Sequence, residues 1–163
     1  MSKFLTFRRA TAVASVALAG LALTGCSLIS GVLNGGTPGE SDVFTLKVGD
    51  CLNDNAKEGD IDTLPVTECD KPHDSEIYAS IVLDDGDYPG DQTLRDTADQ
   101  SCYDEYEAFV GVIWDDSKYN FATIFPTEDS WNAGDREVLC RIILADEDGT
   151  IHKVTGSLKG INE

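Results

Sequence analysis

The sequence predicts a small α+β domain: a mostly antiparallel sheet with one main helix packed on it, closed by two disulfides. Three observations lead there. The stretch Gln92 to Val110 places Leu94, Ala98, Cys102, Tyr106, Phe109 and Val110 on one face at helical spacing. Around it, several short runs alternate apolar and polar residues with the two-residue period of strands. Four cysteines, Cys51, Cys69, Cys102 and Cys140, follow an export-type leader, and an even set in an oxidising compartment implies disulfides.

The leader comes first in the chain. Lys3, Arg8 and Arg9 form a cationic start, and an uncharged run from Ala10 to Leu23 follows, rich in Ala, Leu and Val. This is the layout of a cleavable export signal. It is shorter than the roughly 20 apolar residues a spanning helix needs, and Ser and Thr interrupt it. The residues after Arg8-Arg9 do not support twin-arginine export, so general secretion is expected. Leu23-Thr24-Gly25-Cys26 resembles the lipobox of bacterial lipoproteins, which implies that Cys26 is lipidated and becomes the first residue of the mature chain. Residues 1–25 are thus read as signal peptide and 26–42 as a flexible linker from the lipid. Two acyl chains on one cysteine give stable attachment. The expected location is the extracytoplasmic face of the cell membrane. The linker is rich in Gly, with Gly31, Gly35, Gly36 and Gly39, and would span roughly 20–25 Å as a coil.

The folded domain is expected over 43–163. Val43 to Val48 reads as a first strand, and Leu64 to Cys69 as a second. Between them, Asn53 to Asp62 is acidic, but its spacing does not fit an EF-hand and no Glu closes it. Glu76 to Leu83 alternates, with Ile77, Ala79, Ile81 and Leu83 on one face and Tyr78, Ser80 and Val82 on the other. The helix follows with Asp91 as N-cap. Tyr119 to Phe125 is a strand, Pro126 to Asp135 a loop containing Trp131, and Arg136 to Leu144 the strongest strand, with Val138, Cys140, Ile142 and Leu144 facing one way. Asp146 to Gly149 makes a hairpin turn into a strand over Ile151 to Thr155, since Asp-Gly suits the positive φ angles such turns need.

These faces suggest a pairing for the cysteines. Cys102 lies on the apolar stripe of the helix and Cys140 on the inward face of the strongest strand, so the two meet where helix packs on sheet. Cys51 is left for Cys69. Zinc is disfavoured, because gaps of 18, 33 and 38 residues supply no close ligand pairs. No metal or cofactor is expected.

Charge narrows the partners. All 30 acidic residues lie after Cys26, with only nine of the 12 lysines and arginines, so the exported part carries about −21 charges. Such a surface repels nucleic acid.

Several motifs in order carry a resemblance. Leu46-Lys47-Val48-Gly49-Asp50-Cys51, the run Cys69 to Ala79, Trp131…Gly134-Asp135-Arg136…Cys140, and the closing Thr155 to Gly160 resemble the septum-formation domain of actinobacterial envelope proteins. The resemblance runs from about Val43 to Gly160. It implies an envelope-located, noncatalytic role in cell division or envelope growth; many relatives look tethered by a helix, whereas this chain would use a lipid. On this reading the domain is a tethered module that binds another envelope protein or a wall component. Its exposed specificity elements would be His73 and Asp74 at the turn after Pro72, with Trp131, Asp135 and Arg136. The alternative is a hydrolase of wall polymer using two carboxylates as acid and base, which requires them in a cleft at defined separation.

Overall fold

The computed structural model describes residues 40–54 and 61–163; the leader, Cys26 and nearly all of the expected linker lie outside the described residues. The chain runs β1 (Glu40–Asp42), β2 (Cys51–Leu52), β3 (Thr63–Thr67), β4 (Ser75–Val82), α1 (Asp91–Val110), β5 (Asn120–Ile124), α2 (Glu128–Asn132), β6 (Glu137–Ala145) and β7 (Ile151–His152). The strands form one antiparallel sheet in the order β1-β3-β2-β4-β6-β5, with β7 paired to the end of β6. The expected α+β architecture is the one observed.

The helix has the expected face. Leu94, Ala98, Cys102, Tyr106, Phe109 and Val110 are its buried residues. Gly111 ends it at φ 94°, a left-handed C-terminal position that favours glycine, with its N–H bonded to the Glu107 carbonyl. Its start differs from expectation. Gly90 holds the N-cap position, and Asp91 is the first helical residue, its carboxylate accepting from the Tyr88 hydroxyl instead of capping backbone.

Strand β4 shows why simple alternation fails there. Its register against β6 shifts between Ile77 and Ala79, a β-bulge that inserts one residue and swaps the faces beyond it. Ile77, opposite Arg141, therefore faces away from the helix, while Tyr78 and Ala79 both join the helix side. Ile77, Tyr78 and Ala79 are all buried in consequence, and the sheet packs on both faces. On one side Tyr78, Ala79, Val138, Cys140 and Ile142 pack with the helix residues, Tyr119 and Leu158. On the other, Val43, Leu46, Leu52, Leu64, Ile77 and Leu139 form a second core. Each fully buried aliphatic or aromatic side chain contributes about 1.5–3 kcal/mol.

Two further expectations are corrected. The first strand is not Val43–Val48. It is β1, which pairs with β3 from Glu40, inside the segment expected as linker, and Val43–Thr45 turns as a 3₁₀ helix that drops Val43 and Leu46 into the second core. The stretch 126–135 is not all loop: Thr127 and Ser130 cap each other reciprocally and start α2.

Both disulfides pair as the faces suggested. Cys51 is bonded to Cys69 and Cys102 to Cys140, with Cα separations of 5.3 and 5.5 Å. The second joins α1 to the middle of β6. Beside it the Tyr78 hydroxyl donates to the Cys102 carbonyl at 2.7 Å, and the Tyr78 ring meets Tyr106 edge-on at 5.7 Å. Burial holds the Tyr78 phenol well above its ordinary pKa. Opening the 38-residue loop by the paired change Cys102→Ala and Cys140→Ala is expected to lower stability by about 3–4 kcal/mol. Urea unfolding measures this; an unchanged midpoint would contradict the assigned role of the staple.

Candidate functional site

The expected recognition turn is the natural starting point, and burial overturns its exposure. Pro72 is exposed, but the four residues after it are not: His73 is 0%, Asp74 6%, Ser75 0% and Glu76 1% accessible. The reason lies in the sheet. His73 exchanges both backbone hydrogen bonds with Val154 at 2.9 Å, and the Asp74 N–H donates to the Leu52 carbonyl. The turn is thus sandwiched between β2 and the segment following β7, which a local sequence pattern cannot reveal.

The side chains of Asp74, Ser75 and Glu76 then find partners from distant segments, while His73 bonds locally. His73 Nδ1 lies 2.8 Å from the Lys71 carbonyl, which fixes Nδ1 as the protonated nitrogen; Nε2 is buried with no hydrogen-bond partner among the described residues. Asp74 accepts from Lys153 Nζ at 2.8 Å, and the same ammonium reaches Asn53. The Ser75 hydroxyl donates to Asp54 Oδ1 at 3.0 Å, and the other Asp54 oxygen pairs with the buried guanidinium of Arg141. Glu76 Oε1 accepts from the Ser157 hydroxyl at 2.7 Å, and Oε2 from the Leu158 N–H at 2.6 Å. These contacts spend the polar groups of the motif on holding the chain together.

Trp131, Asp135 and Arg136 form a separate cluster at the other end of β4. The eight residues of that strand span about 26 Å, so this cluster and His73 cannot share one pocket. Trp131 is 5% accessible, and its indole N–H donates to the Gly86 carbonyl at 2.9 Å. The Arg136 guanidinium lies 3.9 Å from the Trp131 ring centre, bonds the Trp131 and Asp135 carbonyls, and pairs with Asp85 at 2.7 Å. That pairing holds the Asp85 carboxyl below its ordinary range. Asp135 does not pair with Arg136; its two oxygens accept from the Glu137 N–H and the Ser130 hydroxyl. The cluster braces the loop after β4 against α2, and Trp131 and Arg136 are not exposed elements.

What remains for chemistry is limited by these commitments. A hydrolytic pair needs two carboxyls across an open cleft, whereas both oxygens of Asp54 and of Glu76 accept structural hydrogen bonds. Glu76 also approaches Cys51 and Cys69, with ligand-type atoms within 4.8 Å of one another. Those sulfurs are bonded to each other, so they cannot act as thiolate metal ligands.

The surface carries one feature that periodicity did not signal. Tyr103 on α1, Trp114 in a 3₁₀ turn at Trp114–Asp116, and Phe121 on β5 make an aromatic row, with ring centres 6.1 and 5.6 Å apart in sequence along it. The row borders an open depression lined by Trp114, Asp115, Ser117, Lys118, Tyr119 and Asn120. A Trp in the connection between helix and strand, followed by polar residues, was the available sign.

A disulfide-stapled α+β domain whose motif residues are structural clasps is the class this geometry defines. The family model described as septum formation matches residues 48–163, and the chain belongs to that family. No curated protein and no solved structure matches it.

Three substitutions test the clasp. Arg141→Met removes the guanidinium from a buried carboxylate and is expected to cost about 3–5 kcal/mol, with partial recovery when Asp54→Asn is added. Urea melts measure both; a double variant no better than the single would contradict the pairing. His73→Ala is expected to lower the melting temperature while leaving partner capture by the folded fraction intact. Lost capture at unchanged melting would return His73 to the contact surface.

Proposed function

We propose that this chain is a lipid-anchored, noncatalytic binding module on the extracytoplasmic face of the cell membrane, acting in septum formation by engaging another envelope protein or a wall component. The observation that carries the reading is the family match over residues 48–163, joined to the structural use of that family's polar motifs. The carboxylates buried in the fold are tied to cations, hydroxyls and an amide, which supports a scaffold over a hydrolase. No helix among the described residues is long and apolar enough to cross a membrane. The lipobox-like Leu23-Thr24-Gly25-Cys26 supports lipid attachment instead, through Cys26. The acidic surface favours a neutral or basic partner over an anionic polymer.

The experiment uses the full chain carrying a C-terminal fluorescent tag. It is expected to collect at division septa, and Cys26→Ala is expected either to release it from membranes or to block its processing. Even distribution of the tagged wild type would overturn the septal role. Processing and membrane retention of Cys26→Ala like the wild type would overturn the lipid anchor.

A further inference from the structure

We propose that the depression beside Trp114 is a binding site for a neutral glycan, with the indole as its stacking platform; this deepens the binding-module reading and rests on it. The depression encloses about 210 Å³ and is open to solvent. That is smaller than the roughly 300–1,000 Å³ of sites for drug-sized ligands and suits one ring of an extended polymer lying across the surface.

The platform is held in place before any ligand arrives. The Trp114 indole N–H donates to Asn120 Oδ1 at 3.1 Å, and the ring is braced edge-on by Tyr103 at 74° and Phe121 at 69°. Tyr103 is itself tied down through its hydroxyl, which donates to Asp115 Oδ2 at 3.0 Å, yet it stays 39% accessible. Trp114 is half-buried. A rigid, partly wet aromatic supplies contact area with little side-chain entropy to lose.

The surroundings select the ligand. Around the indole stand the exposed carboxylate of Asp115, the exposed amide of Asn120 and the Lys118 ammonium, which pairs with Glu163; the Ser117 hydroxyl is already engaged, donating to the Glu163 carbonyl and accepting from Tyr106 and the Tyr119 N–H. A pyranose ring presents a face of C–H bonds for an aromatic plane and a rim of hydroxyls that both donate and accept. Asp115 can accept from such hydroxyls, and the Asn120 amide can donate to them. A proline-rich peptide wants an aromatic-lined apolar groove, and these walls are polar. Nucleic acid bases also stack on Trp, but the chain's formal charge of −18 opposes their phosphates, as it opposes an anionic wall polymer.

The test titrates the folded mature chain with chitotetraose and, separately, maltotetraose at millimolar concentration, reading tryptophan fluorescence. The chain has two tryptophans, and Trp131→Phe leaves Trp114 as the reporter. A saturable change with at least one tetrasaccharide is expected. Affinity read by calorimetry should fall about tenfold or more in Trp114→Ala. It should also fall at least threefold in Asn120→Ala, which removes the amide that holds the indole N–H and whose melting temperature is measured alongside, so the proposal does not depend on Trp114→Ala folding. No saturable response in the folded wild type, or undiminished affinity in Asn120→Ala and folded Trp114→Ala, would overturn it. So would saturation by a proline-rich peptide alone. Septal collection of the tagged chain is scored independently: a failed titration with collection intact removes the glycan, whereas a successful titration with even distribution removes the septal role.

Discussion

Much of this structure depends on one buried carboxylate. Glu76 sits on β4 with almost no access to water, and burying an isolated charge there would be prohibitive. It is tolerated because Ser157 and the Leu158 N–H arrive from the far end of the chain to satisfy both oxygens. That recruitment has consequences. It seats Leu158 in the helix-side core, and the Gly156 N–H reaches back to the Cys69 carbonyl. Beyond it, Gly160 and Asn162 donate to the carbonyls of Phe109 and Val110 at the end of α1. One ionised group thus specifies where the closing segment must lie. Hydrogen bonds to a charged acceptor are among the stronger ones, and leaving the acceptor unmet is costlier still.

The same logic governs the scarce cations. A chain with 30 acids against 12 lysines and arginines repels itself when compact. Arg141 is spent inside, on Asp54, and Arg136 is spent beneath the surface on Trp131 and Asp85. Lys153 holds Asp74. Of these pairs only Arg141 with Asp54 is withdrawn from water on both sides; Asp85 and Lys153 stay largely in solvent, and exposed pairs such as Lys71 with Glu68 contribute little. The two disulfides then raise the cost of expansion by restricting the unfolded chain.

For function, the result is a division of labour between motif and surface. The polar residues of the motifs that carried the resemblance, His73 to Glu76 with Trp131 and Arg136, are drawn inward, into clasps and braces. The aromatic depression beside Trp114 lies on the outward surface, between the end of α1 and β5. It is built on the connection from α1 to β5, in the 3₁₀ turn Trp114–Asp116 and the residues after it, and on Asn120 at the start of β5, a strand hydrogen-bonded to the central β6.

Local patterning was enough for the secondary structure that rests on periodicity and chain chemistry. The helix face from Leu94 to Val110, the inward face of β6 and the Asp-Gly turn were legible because each follows from local spacing and turn chemistry; Cys102 with Cys140 followed from those two faces, and Cys51 with Cys69 by elimination. The flipped alternation at Tyr78 was not, since a bulge depends on how two strands register. Nor was the burial of His73, Asp74 and Trp131. A Pro-His-Asp turn and a Trp in a polar loop have the composition of exposed recognition elements, and only segments distant in sequence cover them, Val154 on His73 from about 80 residues away and Gly86 on Trp131 from 45. Composition states what a residue can bond to; tertiary contact decides whether that partner is water, the protein itself or something else.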